Sequence, residues 1–326
     1  MTADTQILKA LRLAGEQGVS GAILAKTLVV SRAAVWSRIE ELRKVGYDID
    51  ASPHHGYRLH GSPDRLHADD LLARLEPIKV IGRDIRVFQE TSSTNNIVEK
   101  LARDQVSEGI VVFAESQTRG RGRLGRQWCS PTGKGLWFSV LLRPNLAPAA
   151  ATQLTVCTAV AVARAIEKST GLSPGIKWPN DIVFETRKVG GILLELNAEL
   201  DHIRHVILGI GIDVNLATQD FPEELQTIAT SLQIEAGQPL DRADLATILI
   251  QELDSVYSRL ACGDFHEISD DWIRRCTTLG RRVSIRVADR IITGRAESLD
   301  EEGALLVRTD QGRLEHIIGG DVSLIK

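Results

Sequence analysis

Cysteine is scarce in this 326-residue chain, and its four cysteines are scattered: Cys129, Cys157, Cys262 and Cys276, with no C-x-x-C pair. That spacing offers neither a disulfide scaffold nor a grouped zinc site, and it suits a reducing cytoplasm. The N-terminus, from Met1 to Thr5, lacks the basic start and apolar core of a signal peptide. No apolar run reaches the length expected of a membrane-spanning helix, so the sequence predicts a soluble cytoplasmic protein with no membrane partner. An excess of positive charge is also missing. The net charge is −4, and no global basic field advertises nucleic acid. The charge is uneven, however: residues 1–62 carry +2 and the rest carries −6. Repeats and low-complexity tracts are absent, and no Ser/His/Asp or Cys/His set suggests an enzyme nucleophile. What remains is ordinary globular composition, 43% hydrophobic and 25% charged, long enough for two or three domains.

Residues 5–45 read as three short helices. Ile7, Leu8 and Leu11 give the first its apolar face, and Ile23, Leu24 and Leu28 point inward from the second. Ser31 is a good N-cap for the third, where Val35, Ile39 and Leu42 fall on one stripe. The short link between the second and third helices predicts a helix-turn-helix. Alternating residues at 47–51 and 57–59, around Pro53-His54-His55-Gly56, predict a two-stranded wing. Pro63 then breaks the chain at a domain boundary. Strands are predicted at 85–89, 109–115, 135–143, 176–178, 191–197 and 205–214. Helices are predicted at 67–75, after Thr94, and at 149–169, 242–260 and 265–275. After Gly280 the short strands 283–288, 291–299, 305–309 and 314–318 predict a small β-barrel. The resulting expectation is an α+β protein of three domains: 1–62, 63–277 and 278–326.

Four segments could carry chemistry. In Arg119-Gly120-Arg121-Gly122-Arg123-Leu124-Gly125-Arg126 arginines alternate with glycines, and no Asp or Glu occurs from 116 to 166. Four guanidinium groups without local counter-charge should seek an anion, and glycines allow close approach to its oxygens. Gly120, Gly122 and Gly125 formally spell G-x-G-x-x-G, but a turn-like Trp128-Cys129-Ser130-Pro131 follows where a dinucleotide site needs a helix. A solvated basic loop or an RNA-binding tract stays open on these residues alone. Lys177-Trp178-Pro179-Asn180-Asp181 holds a cation beside rigid neighbours and offers oxygens to a hydrated Mg²⁺, or is simply a strand ending in a turn. Thr91-Ser92-Ser93-Thr94-Asn95 reads either as a polar-ring contact or as a helix cap. Gly190-Gly191 and Gly209-Ile210-Gly211 mark close ligand approach or close strand packing.

In this order, Ser93-Thr94-Asn95, the loop 120–126, the segment 177–181, Lys188 to Leu193, and Gly209 to Asp213 resemble the signature of the biotin–protein ligases. With the N-terminal helix-turn-helix and the C-terminal barrel, the resemblance covers nearly the whole chain and is closest to the bifunctional bacterial form that also represses the biotin operon. It implies a winged helix-turn-helix, a central mixed α/β ligase domain and an SH3-like barrel. It implies a two-step reaction: biotin and MgATP give biotinyl-5′-AMP, and a lysine of the biotin carboxyl carrier protein then takes the biotinyl group. Carried over by position, Ser93, Thr94, Asn95 and Gln117 contact the biotin head. Arg121, Gly122 and Arg123 wrap biotin and its activated carboxyl, Gly120 and Arg126 complete the adenylate loop, and Lys177 bridges carboxylate and phosphate. Lys177 and Arg123 carry the catalytic role, and Asp181 is the candidate metal ligand. Ser31, Arg32, Ala33, Ser37 and Arg38 would meet operator DNA, with Trp36 either outward or against the wing, and the adenylate-bound protein would be a homodimer. Two features depart from the family. Asp213 stands where Asn is usual, and His54-His55-Gly56 replaces a more basic wing turn, which weakens phosphate contacts. A lipoate or octanoate ligase and a non-catalytic biotin-sensing repressor are the competing readings.

Overall fold

The structure, a computed structural model, describes residues 1–325; Lys326, the last residue of the expected barrel domain, lies outside them. The described chain forms two compact units, the first comprising Met1–Pro77 with Asp241–Thr247, the second the remainder.

In the first unit α1 (Ala3–Ala14), α2 (Gly21–Leu28) and α3 (Arg32–Lys44) precede a hairpin of β1 (Asp48–Ser52) and β2 (Gly56–Gly61), followed by α4 (Ala68–Arg74). Serine caps define both helices of the helix-turn-helix: Ser20 Oγ accepts from Ile23 N and Ser31 Oγ from Ala34 N. Ile7, Leu8, Leu11, Leu24, Val35, Ile39 and Leu42 form one core with Tyr47 and Ile49 of the hairpin. Ile23, expected inward, is 58% exposed, because it stands one residue before Leu24 and a helix step of 100° takes it off the buried stripe. Trp36 is equally exposed and does not buttress the wing. Asp70 on α4 is buried and accepts from Arg12 Nη2 at 2.5 Å and Arg74 Nε at 3.0 Å, a satisfied buried carboxylate.

The second unit is built on a seven-stranded mixed sheet. Its strands are β3 (Asp84–Thr91), β4 (Ile110–Gln117), β5 (Gly135–Leu142), β6 (Gly175–Lys177), β7 (Asp181–Phe184), β8 (Arg187–Ala198) and β9 (Ile203–Asp213), in the order β3-β4-β5-β9-β8-β7-β6. Only β3 and β4 are parallel, joined through α5 (Thr94–Arg103). Val98 and Ala102 of α5 pack on Ile110, Val112, Leu141 and Ile207. β5 is buried on both faces: Trp137, Ser139 and Leu141 are covered as fully as Leu136, Phe138 and Val140. α6 (Ala151–Thr170) packs with β6, β7, β8 and α9 (Phe265–Arg275). One helix, Pro148–Thr170, is by length and composition apolar enough to cross a membrane, where the sequence predicted no such run; 67% of its most apolar stretch is buried inside the fold, as in the core helix of a globular protein. α7 (Leu232–Ala236) belongs to this unit, as does α8 (Arg242–Ala261) from Ile248 onward, its first turns to Thr247 belonging to the first unit. β7 was not expected. Asp181 pairs back onto Lys177, so the Pro-Asn-Asp turn joins two strands and does not end one.

After Gly280 follow β10 (Arg282–Val287), β11 (Arg290–Leu299), β12 (Leu305–Thr309), β13 (Leu314–Ile317) and an unanticipated β14 (Asp321–Leu324). They form an antiparallel sheet in the order β13-β12-β11-β10-β14, and among the described residues no pairing closes β13 onto β14.

Candidate active site

Register places the site on one face of the sheet. Across it, Lys177 of β6 is opposite Asp181 of β7, Asp181 opposite Gly191 of β8, Gly191 opposite Gly211 of β9, and Gly211 opposite Trp137 of β5. The neighbouring row on the same face holds Leu193, Gly209 and Ser139. Glycines at 191, 209 and 211 leave a trough where other residues would project side chains. A Cβ on Gly211 would stand 2.7 Å from the Trp128 indole, and one on Gly191 would stand 2.9 Å from it. The trough opens into a cavity of about 480 Å³, within the range of small-molecule sites.

Ser93, Thr94, Asn95, Gln117, Arg121, Gly122, Arg123, Arg126, Lys177 and Asp181 all line this one cavity. Gly120 does not; its carbonyl accepts from Trp128 N at 2.9 Å, and a Cβ there would meet the Trp128 carbonyl and Ser130 Oγ. Ser93, Thr94 and Asn95 are buried at the start of α5, and Ser93 makes no side-chain cap. Thr94 and Asn95 belong to a polar network. Ser139 Oγ donates to Asn95 Oδ1 at 2.5 Å and is 2.7 Å from Thr94 Oγ1. Thr94 N donates to Gln117 Oε1 at 2.9 Å, and Gln117 Nε2 donates to Ser130 Oγ at 3.0 Å. Asn95 Nδ2 donates to Glu195 Oε2 at 2.7 Å.

The arginine loop does have counter-charges, contributed from distant parts of the chain. Arg121 Nη2 donates to Glu195 at 2.8 Å, and Arg126 pairs with Asp321. Arg123 Nη1 donates to Asn180 Oδ1 at 3.0 Å and to the Gly320 carbonyl at 3.4 Å. Burial lowers the pKa of Arg123, opposed by Asp181 and Asp321, yet a guanidinium keeps its charge in a protein. Lys188 Nζ lies 2.5 Å from Asp181 and 5.0 Å from the Trp128 ring centroid. Lys177, half-buried in the cavity wall, makes no side-chain hydrogen bond or ion pair among the described residues. Burial pushes the Asp213 carboxyl well above the usual carboxylate range, and Lys188 opposes the shift only in part.

Sequence reasoning missed Ser139, which is hidden in an apolar strand, along with Glu195, Asp321 and the position of Trp128. The remaining candidate residues belong to the first unit. Ser31, the N-cap of α3, and Arg32, Ala33, Ser37 and Arg38 on the helix are all exposed, and Arg38 lies 3.9 Å from Asp4.

Comparison with known proteins matches the same regions. Residues 87–213 match the biotin/lipoate A/B protein ligase family, residues 4–58 an HTH domain, and residues 278–325 the biotin protein ligase C-terminal domain. The bifunctional ligase/repressor BirA of Bacillus subtilis (strain 168) is 38% identical over 323 residues, 99% of each chain. The chain belongs to the biotin–protein ligase family. Another of its members, the bifunctional ligase/repressor BirA of Escherichia coli (strain K12), is 32% identical over 96% of this chain and 94% of its own. The biotin protein ligase of Aquifex aeolicus, solved in complex with biotin and ATP, is 33% identical with a TM-score of 0.64, covering 75% of this chain and 99% of that one. Within the biotin–protein ligase family, then, this chain combines the ligase regions with an N-terminal HTH domain.

Proposed function

We propose that this protein activates biotin with ATP and transfers it to a lysine of a biotin carboxyl carrier protein, and that it also represses transcription through its N-terminal domain. The observation that carries the reading is the uncommitted Lys177 ammonium in a cavity also lined by Arg123 and the Asn95 network. Activation brings an anionic carboxylate to a polyanion, so the barrier is largely electrostatic, and fixed cations in a confined site lower it. The carboxylate oxygen attacks the α-phosphorus and pyrophosphate leaves. Lys177 lies between carboxylate and phosphate oxygens, and Arg123 steadies the crowded charge. Ser93, Thr94, Asn95 and Gln117 hold the biotin head, Arg121 and Gly122 wrap the ligand, and Gly120 and Arg126 complete the adenylate loop. In the second step the neutral acceptor amine attacks the acyl carbon, AMP leaves with the bonding pair, and the amine gives up its extra proton.

For Mg²⁺ the protein offers little. No metal-suited group of three His, Cys, Asp or Glu occurs among the described residues, and Asp181 is already paired with Lys188. That donor set fits an ion carried on the nucleotide, with Asp181 as its single protein carboxylate, where it would shield phosphate charge.

Residues 1–62 serve as the DNA-binding domain, 63–277 as the catalytic domain and 278–326 as an SH3-like barrel. Ser31, Arg32, Ala33, Ser37 and Arg38 face operator DNA, and the protein works in the cytoplasm as a homodimer once it holds biotinyl-AMP. Mass spectrometry of the protein with MgATP and biotin, beside lipoate and an Arg123→Ala control, tests the reading. Biotinyl-AMP from biotin alone, depleted in the control, supports it. Product from lipoate alone makes it a lipoate ligase, and biotin binding without adenylate makes it a sensing repressor.

A further inference from the structure

One carboxylate stands behind the polar end of the cavity without lining it. Gly191, Leu193 and Glu195 alternate onto one face of β8, and Glu195 comes opposite Ile207 of β9, one row beyond the pair of Leu193 and Gly209. Glu195 Oε2 accepts from Asn95 Nδ2 at 2.7 Å and from Arg121 Nη2 at 2.8 Å. A single oxygen therefore ties the start of α5 to the arginine loop. That contact also sets a direction. A carboxylate beside a guanidinium only accepts, whereas an amide presents one end of each kind and a hydroxyl can do either. The Asn95 amide must turn Nδ2 towards Glu195, which leaves Oδ1 to accept, at 2.5 Å, the one proton of the Ser139 hydroxyl. Ser139, fully buried, has no proton left for Thr94, so Thr94 Oγ1 donates across their 2.7 Å contact. Its other contact, to Gln117 Oε1 at 3.2 Å, would use the same proton, because that oxygen also only accepts. Every hydrogen bond from Thr94 to Glu195 runs one way, and the Thr94 oxygen is left with lone pairs alone.

We propose that Glu195 is a positioning residue: acting through Asn95 and Ser139, it fixes the polarity of this chain so that the cavity selects a head group carrying an N–H donor. The assignment rests on the biotin reading above. The cyclic urea of biotin carries N–H donors; the dithiolane ring of lipoate carries none. A hydroxyl free to rotate suits a donor or an acceptor equally. A hydroxyl whose proton is already spent matches only a donor, and a ring without one leaves a buried oxygen unmatched, which discriminates strongly. Without the Glu195 acceptor the Asn95 amide can reverse, Ser139 and Thr94 recover free protons, and the chain loses its single direction.

Two titrations of the full chain test the assignment: calorimetry with biotin, and pyrophosphate release with biotin and MgATP varied in turn. Glu195→Gln keeps an acceptor oxygen in place and should hold biotin affinity within about threefold of wild type. Glu195→Leu keeps bulk and removes the acceptor. It should bind biotin about ten- to a hundredfold more weakly and raise the KM for biotin to match, with kcat and the KM for ATP within about twofold of wild type. Asn95→Asp sets two carboxylates face to face and should bind biotin at least as weakly. Adding Glu195→Gln to it restores a donor–acceptor pair and should recover most of that loss. A role in folding alone would lower kcat or the melting temperature and would not be rescued by the double exchange. Biotin affinity within about twofold of wild type in a folded Glu195→Leu protein, equal rises in KM for biotin and ATP, or a double variant no better than Asn95→Asp overturns the assignment. A wild type that binds biotin and forms no adenylate overturns the ligase reading alone, and the calorimetric series then judges Glu195; a wild type that takes lipoate in place of biotin overturns both.

Discussion

Alanine at Gly209 would drive a methyl group into the polar end of the site. The added Cβ would collide with Asn95 Oδ1 and stand 3.1 Å from both Cγ and Nδ2. Asn95 is 4% exposed and packed at the start of α5, so its amide must rotate away. Rotation breaks the 2.5 Å bond from Ser139 and the 2.7 Å bond to Glu195. Ser139 keeps its Thr94 partner at 2.7 Å, so the cost falls mainly on the Asn95 amide. One or two buried groups left without partners cost about 1–3 kcal/mol. Biotin affinity should therefore fall about ten- to a hundredfold, with melting lowered by a few degrees. Calorimetric titration with biotin, beside a thermal scan that confirms folding, measures both. Biotin affinity within twofold of wild type in a folded Gly209→Ala protein would refute the placement of the biotin head at Asn95.

Three further outcomes follow from the same structure. Lys177→Ala should cut the rate of pyrophosphate release by about 10²–10³ while leaving biotin binding measurable; an unchanged rate removes Lys177 from the chemistry. Below the ordinary carboxylate range Asp213 is protonated in both folded and unfolded chains, and above it the folded state holds the extra proton, so stability falls as pH rises towards its raised pKa. Asp213→Asn should thus melt higher than wild type at alkaline pH and not at pH 3; equal melting at both would contradict the buried acid. Asp70→Ala would remove the buried carboxylate shared by Arg12 and Arg74, leaving Arg12 its bond to Ser62 and Arg74 its pairing with Asp241 and Asp244; at about 1–3 kcal/mol, hydrogen exchange over residues 1–77 should rise about ten- to a hundredfold, and unchanged protection would show that the ion-pair cluster does not hold that unit.

The sequence revealed those parts of the fold whose signals are local. The serine cap at Ser31 and the Val35–Ile39–Leu42 stripe marked the helix-turn-helix, and the order of the glycine, arginine and lysine segments marked the cavity lining. It concealed whatever depends on pairing across the chain. Arg121 finds its counter-charge 74 residues away in Glu195, and Arg126 finds its own 195 residues away in Asp321, so a window without acids looked uncompensated. Ser139 sits in Gly-Leu-Trp-Phe-Ser-Val-Leu-Leu, where hydrophobicity hides one hydroxyl. Trp128 looked like part of a turn until strand register put Gly191 and Gly211 beneath it. β7 escaped notice because four residues after a proline carry little periodic signal.

Intact-mass measurement of a biotin carboxyl carrier domain, incubated with this protein, MgATP and biotin, tests the central claim most directly. The account predicts a single biotinyl adduct on one lysine, absent when either ATP or biotin is omitted and absent with lipoate. An unmodified carrier in the complete reaction, or a lipoyl adduct in its place, would contradict it.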